Sequence, residues 1–264
     1  MSNFRLMTSL LTYTPAATSA DSNWPVTNLA LYTRLTKKWA AAVATGVVDV
    51  TLDLGSGNTL SGLAADPGIF IDDINVTSIR IQANSSSSWA TPPWDQAVTV
   101  GKHKGVARYK GFWRFADLSA SAVAYRYVNV RITSQTPVDA ANYRISRIGL
   151  GTITELTANP SYGMSYGRNR RVITTEMQDG GVEVNLMGPP YWLATFEGVL
   201  PNTTARDQHW DINAIGEGQP FVLWDASEAA SQDAWMMIRI ENSPLVKEYK
   251  DRYRVSGWTH REAV

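Results

Sequence analysis

The sequence predicts an all-β protein, and three observations carry that prediction. Val48, Val50, Leu52 and Leu54 alternate with Asp49, Thr51 and Asp53, the period of a strand with one buried and one wet face. Short apolar runs recur along the chain between clusters of turn residues, the pattern of an antiparallel sandwich or barrel. Helical periodicity is nearly missing. Leu31, Leu35 and Trp39 recur at roughly one turn, but Thr33, Thr36 and Trp39 are poor helix formers, so residues 29–44 are expected to form an irregular loop.

Taken in order, Asn3 to Thr14 reads as the first strand and Pro15 to Asp21 as a small-residue connection. Asn23-Trp24-Pro25 starts a turn, because proline disfavours helix in the residue before it. The organising strand, Val47 to Gly55, runs into Gly55-Ser56-Gly57-Asn58. That stretch is expected to be a tight turn and not a phosphate loop, since Leu60 replaces the third glycine of a dinucleotide fingerprint and no helical crossover follows. Leu60 to Ala65 is a small-residue apolar run, and strands follow at Ile69 to Ile71 and Val76 to Gln82. Asn84 to Asp95 is a serine- and proline-bearing loop with two tryptophans. Strands resume at Ala97 to Val100, Phe112 to Phe115, Tyr125 to Ile132 and Tyr143 to Leu150.

A second β-rich region begins near Thr154. Its expected strands are Arg171 to Thr175, Gly181 to Leu186, Tyr191 to Gly198, Pro220 to Trp224, Ala234 to Ile240 and Asp251 to His260, with a short helix within Asn202 to Gly216. The expected domains are therefore residues 1–155 and 156–264.

Composition narrows the function classes. With 44% hydrophobic residues the 264-residue chain can build a real core without staples. Cysteine is absent, which removes disulfides, thiolate metal sites and a cysteine nucleophile. The net charge is zero and no basic block appears, so nucleic acid is not expected as a partner. No stretch approaches the ~20 apolar residues of a membrane span. The apolar run Leu6 to Tyr13 is broken by Thr8, Ser9 and Thr12, so the expectation is a soluble protein made in the cytoplasm and not secreted.

Gly163-Met164-Ser165-Tyr166-Gly167 matches a nucleophile elbow, with Asp225 and His260 following in hydrolase order. An elbow needs a strand before it and a helix after it, whereas Asn159-Pro160-Ser161-Tyr162 precedes and a charged turn into a strand follows. No enzyme and no cofactor are expected. His103, His209 and His260 lack ligand spacing for zinc, and Asp66, Asp72 and Asp73 read as solvated loop carboxylates rather than a calcium site, so no metal is expected.

Ten tryptophans are a surplus at this length. Trp39, Trp192 and Trp258 lie in apolar patterns and are expected in the core. Trp89 and Trp94 lie in a polar loop, where they either expose rings as platforms for sugar faces or interface anchors, or fold back over an end of the sandwich. With Lys102, His103 and Lys104 they form the candidate site for a glycan or an interface. Met236 and Met237 are further apolar residues that association would cover.

The order Asn23-Trp24-Pro25-Val26-Thr27-Asn28-Leu29, Arg34, Trp39, Val50 to Gly55, Ser78 to Gln82, Tyr125 to Ile132 and Ile145 to Gly151 resembles the galactose-binding-like (discoidin-type) jelly roll. Ala40-Ala41 stands where that family usually has a serine after its tryptophan. The likeness covers roughly Thr14 to Glu155. From Arg170 to Val264, RRVITTEMQDGGVEVNLMGPPYWLATFEG, GQPFVLWD and AWMMIRIENSPLVKEYKDRYRVSGW are similar to the curved-barrel and closing strands of the distal tail protein family of long-tailed bacteriophages.

The fold these resemblances imply is an N-terminal jelly-roll sandwich plus a C-terminal β-barrel or sandwich domain. The function they imply is that of a virion structural protein of a tail tip or baseplate, made in the host cytoplasm. It would form a homo-oligomeric ring, commonly a hexamer, that joins the tail tube to the hub and adsorption apparatus beside the tape measure. The other expectation is a carbohydrate-binding module that recognises host-surface glycans.

Overall fold

The computed structural model describes residues 4–32, 37–102, 109–118, 123–139, 141–157, 164–176, 182–200, 202–208, 220–224, 234–239, 245–249 and 252–262. The protein is all-β, and among the described residues the helical segments between strands are short. It divides into two compact units, Met1–Leu156 with Phe221–Met236, and Thr157–Pro220 with Met237–Val264. The sequence grouped Phe221–Met236 with the C-terminal region, whereas its contacts lie in the first unit.

In the first unit the strands are β1 (Arg5–Leu10), β2 (Thr14–Ala17), β3 (Trp39–Ala40), β4 (Val48–Asp53), β5 (Pro67–Ile74) and β6 (Ser78–Asn84). They continue with β7 (Trp94–Thr99), β8 (Gly101–Lys102), β9 (Tyr109–Arg114), β10 (Tyr127–Ile132), β11 (Arg144–Ile145) and β12 (Arg147–Glu155). Val26–Ala30 is a single 3-10 turn, and α1 (Leu60–Leu63) and α2 (Phe115–Leu118) are one-turn helices.

A five-stranded antiparallel sheet runs β2-β4-β10-β6-β7. Its inward rows place Leu52, Val128 and Ala83 opposite one another, and Val50, Val130 and Ile81 beside them. A second sheet runs β1-β12-β5-β9-β8, and its Ile69, Ile71, Ile148 and Leu150 join the same buried cluster. Two sheets closing on one core make a sandwich, and each buried aliphatic side chain contributes about 1.5–3 kcal/mol.

Tyr13 ties the layers: it is buried and its hydroxyl reaches the Ile148 and Leu29 carbonyls. Burial first, then the neighbouring Tyr32, pushes the Tyr13 phenol well above its ordinary value, and burial pushes Tyr32 up to about 12. On the free edge of β1, Arg5, Leu6 and Met7 pair with Trp224, Leu223 and Val222. β1 can approach β12 this closely because residue 151 is glycine; a Cβ there would collide with the Ser9 carbonyl oxygen.

The second unit is built on β13 (Met164–Glu176) and β14 (Val182–Leu200), strands of 13 and 19 residues paired antiparallel. The sequence reads two strands where β14 is one. The reason is a register shift between Asn169 and Arg171, opposite Tyr191 and Met187, which places Gly188-Pro189-Pro190 outside the ladder. Prolines cannot donate to a ladder and are accommodated at such bulges. Ser165 lies inside β13 opposite Thr195, so the nucleophile-elbow geometry is absent at that serine.

Phe221–Trp224 is β15 and belongs to the first unit. Next come β16 (Ala234–Arg239), β17 (Leu245–Tyr249) and β18 (Arg252–Glu262). β18 pairs with β14, with β17 and with Met237–Arg239 of β16. Met236 and Met237 are buried within the chain, not left for a partner to cover. The expected helix in Asn202 to Gly216 is present at residues 203–208, and residues 209–219 lie outside the described ones.

Candidate functional site

The two tryptophans chosen from the sequence as an exposed pair are both buried, on opposite faces of the five-stranded sheet. Trp94 opens β7 opposite Ala83, in the inward row, and its ring centroid lies 5.9 Å from that of Phe115. Trp89 lies over the outer face, where its indole N–H donates to Thr51 Oγ1 at 2.8 Å and its carbonyl accepts from Arg131 Nη2 at 3.0 Å. The expectation of a shared aromatic platform is therefore corrected. Trp94 is in phase with the apolar rows, and the indole N–H of Trp89 finds a partner on the sheet, which buried indoles require.

Lys102 is exposed on β8, with its ammonium 4.9 Å from the Tyr109 ring centroid. His103 and Lys104 lie outside the described residues. Asp66 holds Arg114, Asp72 holds Arg147, and Asp73 accepts from Ser146 Oγ at 2.8 Å. Among the described residues no group of three or more metal-ligating side chains comes together.

Among the described residues of the sandwich the exposed aromatic is Trp24, at 36% exposure. It lies in the connection between β2 and β4, hence at the end of the sandwich where β4 and β12 begin. This connection is tightly framed. Asp21 Oδ1 accepts from the Asn23 N–H at 2.8 Å, and the Trp24 N–H donates to the Asp21 carbonyl at 3.1 Å. Ala40 N–H donates to the Trp24 carbonyl at 3.2 Å, and Asp21 N–H to the Ala40 carbonyl at 2.8 Å. Asn28 Nδ2 donates to the Lys38 carbonyl at 2.9 Å, which fixes the backbone from which Lys38 reaches 5.5 Å from the Trp24 ring centroid.

Beneath the frame, Trp39 is fully buried and its indole N–H donates to the Ser19 carbonyl at 3.2 Å. Tyr143, also fully buried, joins the neighbouring loops: its hydroxyl lies 2.7 Å from the Gln135 carbonyl and 3.3 Å from that of Gly46. Val43, Val47 and Val138 are exposed on these loops. The sequence signal for Trp24 was the Asn23-Trp24-Pro25 turn, which puts a large apolar ring where the chain reverses and no periodicity calls it inward.

The opposite end is charge-paired. Arg126 forks onto Asp53 with Nε at 2.6 Å and Nη2 at 2.7 Å, and this hydrogen bonding holds the Asp53 carboxyl below its ordinary value.

No protein-family model and no curated protein matches the chain. Among solved structures it is similar to chitosan-binding module 1 of a chitosanase/glucanase from Paenibacillus sp. IK-5, at 19% identity over 55% of this chain and 97% of that one, with a TM-score of 0.35. It is also similar to chitosan-binding module 2 of that enzyme in complex with chitotriose, at 19% identity over 54% and 98%, TM-score 0.36. A third similar structure is CpGH89CBM32-4 of Clostridium perfringens in complex with glcNAc-alpha-1,4-galactose, at 14% identity over 53% and 89%, TM-score 0.33.

Proposed function

We propose that the chain is a non-catalytic recognition protein whose first unit holds a saccharide at its loop end, with Trp24 as the stacking platform and Lys38 as a hydrogen-bonding cation beside it. The observation that carries this reading is the 36% exposed indole carried on a hydrogen-bonded backbone. A backbone ordered before the ligand arrives loses little conformational freedom on binding. One face of a pyranose is apolar C–H surface that stacks on an indole, and the cation lies near enough to the ring to meet the sugar's hydroxyls. The sequence resemblance of residues 14–155 to galactose-binding-like jelly rolls points to the same ligand class.

The test is retention of the fluorescently labelled full chain on an array of immobilised oligosaccharides. Saturable retention on a related subset of saccharides is the expected result. Retention on none of them at any protein concentration would sink the reading.

A second reading, a structural subunit of a phage tail tip, is favoured by β13. Among the described strands it pairs only with β14, leaving a 13-residue edge. Strands usually run 3–10 residues, and a long free edge is a template for pairing with another chain. Light scattering across protein concentration tests it: a discrete ring-sized oligomer supports this role, and a strict monomer removes it from the edge of β13.

A further inference from the structure

The outer face of the five-stranded sheet is unusually polar and unusually covered. Thr51, Asn129, Gln82 and Asp95 stand opposite one another across β4, β10, β6 and β7. In the adjoining row, Asp49 faces Arg131, which faces Arg80. Gln82 and Asn129 are both 0% exposed although they lie on the side of the sheet away from the core. The cover is the loop 85–93, in which Trp89 is the one buried residue while 85–88, 90, 91 and 93 are exposed. Trp89 fastens the loop to this face, its indole N–H through Thr51 and its carbonyl through Arg131, while Asn84 Nδ2 at the loop's start donates to the Ser88 carbonyl at 2.6 Å.

The orientations of the buried amides are fixed by charge. Arg131 forks onto Asp49 with Nε at 2.7 Å and Nη2 at 3.0 Å. Asp49 Oδ1 then accepts from Asn129 Nδ2 at 2.6 Å, and the same nitrogen donates to Gln82 Oε1 at 2.9 Å. Turning either amide over would set oxygen against carboxylate or nitrogen against nitrogen, so the assignment follows from the ion pair. It leaves Gln82 Nε2, a donor, and Asn129 Oδ1, an acceptor, buried without a hydrogen-bond partner. A buried donor or acceptor that nothing satisfies is destabilising. A hydroxyl accepts from the first and donates to the second.

We propose that this face is a second binding site, for a polyhydroxylated ligand of the sugar class, and that Trp89 is the flap that closes it. Lifting the loop exposes the Arg131 guanidinium and the Asp49 carboxylate beside the two amides. These are planar, fork-shaped partners for adjacent hydroxyls. The indole of Trp89, on a loop ending in Pro92-Pro93, supplies the apolar cover. The site is separate from the loop end that carries Trp24, and it stands or falls independently of that reading.

The test uses the full chain with 15N-labelled tryptophan, so that Trp89 and Trp24 each give an indole N–H signal, assigned with Trp89→Phe and Trp24→Phe. The probes are free galactose, glucose and N-acetylglucosamine. At least one sugar is expected to move the Trp89 signal, and the isosteric Gln82→Met is expected to lose that shift while the remaining indole signals keep their native positions. No movement of Trp89 with any of the three, or a shift that survives Gln82→Met, would overturn the proposal.

Should Gln82→Met not fold, Thr51→Val removes only the indole's acceptor. The Trp89 shift should then occur at several-fold lower sugar concentration, and an unchanged concentration would also overturn it. Movement of Trp24 without Trp89 contradicts this site and leaves the loop end standing. Movement of Trp89 without Trp24 does the reverse.

Discussion

Asp72→Asn is expected to cost the first unit about 3–5 kcal/mol, the typical loss when one partner of a buried ion pair is removed. Asp72 and Arg147 have side chains 1% and 0% exposed. Arg147 donates to Asp72 Oδ2 from Nε at 3.0 Å and Nη2 at 2.7 Å, and to the Tyr32 carbonyl from Nη1 at 2.7 Å. Across the sheet Asp72 also stands opposite Lys110, itself buried, whose ammonium donates to the Ala234 carbonyl at 2.6 Å. One carboxylate therefore faces two buried cations from the two flanking strands. Neutralising it breaks the paired hydrogen bonds from the Arg147 guanidinium in a low-dielectric row, where removing one partner costs far more than the pair is worth.

Urea unfolding followed by tryptophan fluorescence reads the loss. A change below about 1 kcal/mol, the size of a surface pair, would mean that water reaches this row. Replacing Asp72 and Arg147 together by apolar residues of similar volume should recover much of the loss, because the pair is then removed and not broken.

Trp39→Ala is the second large effect, also about 3–5 kcal/mol for truncating a buried aromatic. The ring is fully buried, and Trp39 pairs with Ile145 on the short ladder between β3 and β11. Its loss removes the floor beneath the frame that positions Trp24 and Lys38. The variant should therefore lose saccharide retention even at temperatures where circular dichroism still reports the sheets. Trp39→Phe keeps most of the volume but not the hydrogen bond to Ser19, and should cost only about 1 kcal/mol. Equal losses for Ala and Phe would show that volume is not what Trp39 contributes.

Periodicity made the strands legible, and non-local covering made the site illegible. Val48, Val50, Leu52 and Leu54 are buried as their alternation requires. Yet Asp49, in the phase that should be wet, is also buried. Alternation reports the core side of a sheet; it cannot report that a loop some forty residues later folds over the other side and supplies Trp89. Composition misled in the same way at Asn84 to Asp95, where a serine- and proline-rich stretch suggested two exposed rings. Trp94 was in register with the inward rows all along, but that is visible only once β7 is aligned with β6. The pairing of Phe221–Trp224 with β1 spans most of the chain and leaves no local mark. Trp24, by contrast, was readable as a turn residue, and its exposure follows from the turn.

The reading of the loop end rests most directly on Trp24. Wild-type protein and Trp24→Ala, each checked for native circular dichroism, should be titrated with the saccharide that the array selects. The account predicts a saturable isotherm for the wild type and roughly 30-fold weaker binding for the variant, the size expected when a central aromatic anchor worth about 2 kcal/mol is lost. Equal affinities in the two proteins would contradict it.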